Sequence, residues 1–173
     1  MGPRLLILRP IVAAVLWVAV MIGTVVPAAA QVRPGPVTIK AAKLRVPFPR
    51  NWLSAEPNAY LPQSVHWYHP AGARIVITAT PKKPADTLAT WTAAVKGIAA
   101  ARKFTLDAPK AAKVAGADAV RLTARTRTHQ LEFLFFFLND QFVLVNFTCE
   151  AKTLAACVVA PDYERLVLGL EPL

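Results

Sequence analysis

The chain has 173 residues, a formal net charge of +10 from 20 basic and 10 acidic side chains, and 55% apolar residues. That length fits one domain with a real core, and the sequence holds no repeat, no low-complexity tract and no second domain. The basic excess favours anionic partners such as phospholipid head groups, acidic cell-wall polymers or nucleic acid, without choosing among them.

Residues 1–30 read as a secretory signal peptide. Arg4 and Arg9 open the segment without an acid, Ile11 to Val26 is almost unbroken apolar residues, and Ala28-Ala29-Ala30 places small residues where a signal peptidase reads. Cleavage is expected between Ala30 and Gln31. The apolar run of sixteen residues falls short of the roughly 20 that span a bilayer, so release is expected rather than retention as an anchor. No Cys follows the run and no twin-Arg pair precedes it, so neither a lipid anchor nor a preloaded cytoplasmic cofactor is expected. The remaining 143 of the 173 residues keep 18 of the 20 basic side chains, because Arg4 and Arg9 are lost, against all 10 acidic ones. The expected location is the periplasm or the outside of the cell.

Residues 31–37, rich in Pro and Gly, form a leader expected to be mobile, and 38–173 the domain. Leu44 to Pro49 reads as a short edge strand, because Pro cannot donate to a ladder. Asn51-Trp52-Leu53 turns into a second short strand. Ser64–Tyr68 and Arg74–Thr80 are strands separated by Pro70-Ala71-Gly72. Asp86 is placed to cap a long helix ending near Lys103, with Leu88, Trp91, Val95 and Ile98 spaced by three and four. Phe104–Asp107, Lys110–Val114 and Asp118–Thr128 follow as strands, with a turn at Gly116. Leu131–Leu138 (LEFLFFFL) is apolar on both faces, the mark of a central strand covered on both sides. Asn139-Asp140 makes a hairpin turn into Phe142–Thr148, and Pro161 starts a closing helix. Strands, one long helix, more strands and a last helix predict an α+β fold: an antiparallel sheet flanked by helices, with a helix on each face.

Several of these segments carry a family resemblance. Leu44–Trp52 (LRVPFPRNW) resembles the opening strand, Pro-rich turn and aromatic of the PsbP-like superfamily, close to the bacterial DcrB-like and LpqN-like exported proteins. Ile75–Thr80 ahead of Asp86-Thr87-Leu88 and Trp91, the turn Ala115-Gly116-Ala117-Asp118-Ala119-Val120, and Pro161 to Leu170 extend the likeness over residues 38–173. The chain departs from it in lacking a lipobox Cys and in its cysteine pair. The resemblance implies an α/β/α sandwich, no catalytic residues and a role in binding or assembly.

Cys149 and Cys157, an even count in an exported chain, are expected to form a disulfide that pins the last helix to the sheet. His66 and His69 stand three apart on a strand, so they point to opposite faces and do not converge on a metal. His129 sits near Glu132, but no G-x-S-x-G, H-E-x-x-H, Walker or G-x-G-x-x-G pattern accompanies it. Arg121, Arg125 and Arg127 alternate with Val120, Leu122, Ala124 and Thr126, and with His129 they are expected to share one strand face, a cationic ladder suited to an anion or acidic partner. The expected function is non-enzymatic: an exported binding, assembly or stability factor for an envelope protein or an anionic envelope component. Peripheral membrane contact is compatible with this, nucleic acid is not an expected partner, and no metal or cofactor is expected. Two alternatives remain open. One is a small-ligand carrier with a pocket between sheet and helix lined by Trp52, Tyr60, Trp67 and Trp91. The other is a small hydrolase.

Overall fold

The computed structural model describes residues 35–54, 64–151 and 156–173. The signal segment, most of the leader and Tyr60 lie outside the described residues.

Eleven strands and two helices are described. The strands are β1 Val37–Ile39, β2 Leu44–Val46, β3 Leu53–Ser54, β4 Ser64–His69, β5 Ala73–Pro81, β6 Thr105–Leu106, β7 Lys110–Val114, β8 Ala117–Arg125, β9 Gln130–Leu138, β10 Gln141–Cys149 and β11 Glu171–Pro172. The helices are α1 Leu88–Ala101 and α2 Ala160–Leu168. Eight strands form one antiparallel sheet in the order β3-β4-β5-β10-β9-β8-β6, with β7 also paired to β8. The other three form a small sheet, β1-β2-β11.

This is the expected α+β domain, and its layering explains the doubly apolar β9. Leu131, Phe133 and Phe135 face α1 and pack with Trp91, Val95, Leu122 and Leu144. Leu134 and Phe136 face the other way, into a core shared with Ile39, Leu44, Val46, Tyr163 and Leu166 from the small sheet and α2. Both faces of the strand are therefore removed from water, as a run with apolar residues on both faces requires.

Local chemistry sets the boundaries. Asn139 and Asp140 take φ of 48° and 56°, the left-handed pair of a two-residue hairpin whose twist matches its strands. The Asn139 amide also donates to the Ala42 carbonyl at 2.9 Å, tying this turn to the small sheet. Thr87, rather than Asp86, caps α1: its hydroxyl accepts from the Thr90 amide at 3.1 Å while the Thr90 hydroxyl accepts from the Thr87 amide at 2.9 Å. Asp86 is buried one residue earlier and accepts from the Lys83 amide at 2.8 Å. The helix ends on Lys103 in left-handed conformation, φ 57°, with Phe104 N–H donating to Ala99 at 2.8 Å.

Leu44–Val46 is not an edge strand. Val37 to Ile39 pairs with one side of it and Glu171-Pro172 with the other, and Pro47 falls just beyond the last ladder position. β1 and β11 are too short to show alternation, which is why the sequence hides them. Gly169 stops α2 where a side chain has no room: a Cβ there would lie 2.9 Å from the Pro47 ring. Cys149 and Cys157 are bonded, with Cα atoms 6.2 Å apart, joining the end of β10 to the segment before α2.

Candidate functional site

The expected arginine ladder is broken up in the structure. β8 ends at Arg125, so Arg127 and His129 lie in the turn to β9 rather than on its face. Thr126 organises that turn, its hydroxyl accepting from the His129 amide at 2.9 Å. Alternation holds within the strand, and Val120, Leu122 and Ala124 pack under α1. The opposite face does not lie open to water, because α2 covers Arg121.

Arg121 is the centre of a charge cluster. Its guanidinium forks onto Glu164 of α2 at 2.6 and 3.1 Å, and its Nε lies 3.1 Å from Glu132 of β9. The Tyr163 hydroxyl donates to the same Glu132 oxygen at 2.8 Å. Glu132 is 1% exposed, against 23% for Arg121 and 40% for Glu164. Burial pushes the Glu132 carboxyl above its usual range, against the pull of Arg121 and the Tyr163 bond. Burial and the facing carboxylate push the Tyr163 phenol well up. Arg121 is thus a structural pin between β8, β9 and α2. Arg125 is exposed but committed as well, to Asp107 at 2.5 Å, which leaves Arg127 as the exposed arginine of the set outside an ion pair.

The four-residue aromatic pocket is not assembled. Trp52 and Trp67 are fully buried in the core beneath the small sheet, whereas Trp91 lies across the large sheet, stacked on Phe142 at 3.8 Å. A sheet stands between them. Tyr60 is outside the described residues.

His66 and His69 do face opposite ways. His69 packs beside Trp52 at 5.3 Å. His66 is buried on the α1 side, its Nε2 2.7 Å from the Ser64 hydroxyl. Desolvation, helped by the Arg74 charge, pushes the imidazole down to about 4. A serine–histidine base needs a carboxylate to stabilise the imidazolium; His66 has a cation near it instead. Among the described residues no group of three potential metal ligands comes together.

The accessible feature that sequence reasoning missed is a groove along the loop after β2. One stretch, of about 620 Å³, is lined by Arg45, Pro47, Phe48, Arg50, Gly169 and Glu171. It continues past Pro47, Phe48 and Arg50 into a second stretch of about 300 Å³, reaching Asp162, Arg165 and Leu166 of α2. Phe48 is held edge-on against buried Trp67 at 5.9 Å, so the floor is fixed by the core. The only sequence signal for it was the Pro-Phe-Pro-Arg run.

Comparison of the sequence with known families and with curated proteins finds no match. Among solved structures, PA94, a protein of unknown function from Pseudomonas aeruginosa, superposes with a TM-score of 0.52 at 17% identity, over 75% of this chain and 91% of that one. A Bacteroides thetaiotaomicron protein superposes with a TM-score of 0.53 at 14% identity, over 82% of this chain and 49% of that one, so this chain spans about half that protein's length. LpqN of Mycobacterium tuberculosis, involved in cell envelope biogenesis, superposes with a TM-score of 0.49 at 13% identity, over 80% of this chain and 85% of that one. The first two share the fold, and a shared fold does not carry an activity with it.

Proposed function

We propose that this chain is an exported, non-enzymatic binding factor of the PsbP-like kind, supporting the assembly or stability of an envelope protein or an anionic envelope component. The groove between the Pro47–Arg50 loop and α2 carries the reading. It is open, its walls are built from the core outward, and Arg45, Arg50 and Arg165 stand along it against Glu171 and Asp162. The bond between Cys149 and Cys157 supports an oxidising compartment. The signal-peptide pattern of residues 1–30 supports export.

The test is capture from envelope extracts by the tagged mature protein, run beside a variant with Arg50→Ser and Phe48→Ser. The reading expects a component recovered by the wild type and lost with the variant while both keep the same circular dichroism. Equal recovery by the two proteins would refute it.

A further inference from the structure

We propose that the outward face of the small sheet, with the outward side of α2, docks the domain on an anionic lipid bilayer. This deepens the reading above by naming a partner class, and it rests on that reading for the anionic character of the target.

The small sheet is two-sided. Ile39, Leu44 and Val46 point into the core, all below 5% exposed. Pairing of Thr38 with Arg45 and of Arg45 with Glu171 puts these three on the outward side. Lys43 is exposed in the turn that leads into β2, and its carbonyl accepts from the Leu173 amide at 2.7 Å. Lys40 and Lys43, joined by the turn between β1 and β2, are both exposed. The groove connects this face through Arg50 to Arg165 on α2. Of these five cations Arg45 pairs with Glu171 at 3.8 Å and Arg165 with Asp162 at 2.6 Å, so Lys40, Lys43 and Arg50 supply the excess positive charge of this side.

The apolar residues decide the occupant. Among the described residues the large hydrophobic side chains left in water are Val158, Leu168 and Leu173, at 77%, 83% and 65% exposure. All three belong to this layer: one just before α2, one at its end and one beside the small sheet. Leu168 points away from the buried stripe of Tyr163, Leu166 and Val167, as does Arg165. A soluble polyanion would use only the cations. A bilayer surface uses both, taking leucines into the acyl boundary while head groups meet the ammonium and guanidinium groups. The α1 side carries exposed cations too, Lys82 and Lys83 before the helix and Arg102 and Lys103 after it, but among the described residues no large hydrophobic side chain left in water. The exposed positions of α1 include Ala93, Gly97 and Ala100, with Lys96 as their cation.

The experiment is flotation of the mature, disulfide-bonded protein with neutral phosphatidylcholine vesicles and with vesicles containing phosphatidylglycerol, at low and physiological salt. Binding to the anionic vesicles, weakening with salt, is expected, with none to the neutral ones. A variant with Lys43→Asn, Arg45→Ser and Arg50→Ser should bind about fivefold more weakly per charge removed, roughly a hundredfold in all. Asn suits position 43, where φ is 47°. Leu168→Ser should cost on the order of tenfold, and that loss should persist at high salt. Unchanged circular dichroism establishes that each variant is folded. Equal binding to both vesicle types, undiminished binding by the triple variant, or binding to a soluble polyphosphate but not to vesicles would each overturn the lipid assignment. Loss of vesicle binding with capture of an envelope component intact would sink this inference alone. Loss of both would sink the functional reading with it.

Discussion

Replacing Arg121 by Met should unpin α2 and do so in a pH-dependent way. Glu132 is 1% exposed and shares Arg121 with Glu164. Without the guanidinium, a buried carboxylate is left with the Tyr163 hydroxyl as its remaining partner in the cluster. Breaking a buried pair from one side costs about 3–5 kcal/mol, a large part of a total that for such domains is about 5–15 kcal/mol. Met keeps the apolar stem, so little of the loss comes from packing. Burial already holds Glu132 above its usual range, and removing the Arg121 attraction raises it further. For an acid raised in the folded state, folding favours the protonated form, so stability falls as pH rises through the shifted range. The deficit relative to wild type should therefore be largest at neutral pH and shrink toward acid pH. Adding Glu132→Gln to Arg121→Met removes the buried charge and should recover most of the loss. Urea unfolding followed by tryptophan fluorescence, at about pH 7.5 and about pH 5, reads all of this. A deficit under about 1 kcal/mol, or one identical at both pH values, would show that Arg121 is not a pin.

His66 titrates near 4 in the folded state, below its ordinary 6.5. Stability from keeping it neutral is then complete above 6.5 and declines as pH falls toward 4, by at most about 3 kcal/mol; His66→Gln should flatten that part of the pH–stability curve, and an unchanged curve would contradict the burial argument. Titration of the denatured, unreduced protein should find no free thiol, and reduction should lower stability by about 2.5 kcal/mol for so short a loop; two reactive thiols would contradict the bond. Amino-terminal sequencing of the exported protein should begin at or near Gln31, whereas an intact Met1 in a salt-resistant membrane pellet would identify an anchor.

The sequence was most legible where a single physical demand dominates. LEFLFFFL could only be a strand covered on both faces, and Asn139-Asp140 could only be a tight turn. Their hairpin is where those demands put it. It was least legible where a partner far along the chain decides. The alternation of Arg121, Thr123 and Arg125 with apolar residues correctly separated two faces of β8, but alternation cannot say what lies over the polar one. The missed signal was Glu132, an acid inside an apolar run. A buried charge needs a counter-ion, and the ladder sets Glu132 opposite Thr123, diagonal to Arg121. The tryptophans failed as a pocket for a related reason: their spacing carries no information about which side of the sheet each one takes. The groove escaped notice because it depends on β11 and the end of α2 closing against the Pro-rich loop, contacts more than a hundred residues apart in sequence.

The central claim is that this domain meets its envelope partner through the layer formed by the small sheet and α2. Photocrosslinking in intact cells tests it most directly, with a photoreactive amino acid placed singly at Arg50, at Leu168 and, on the far side, at Lys96. The account predicts adducts with an envelope protein or lipid from Arg50 and Leu168 and none from Lys96. Adducts from Lys96 with none from the other two positions would contradict it.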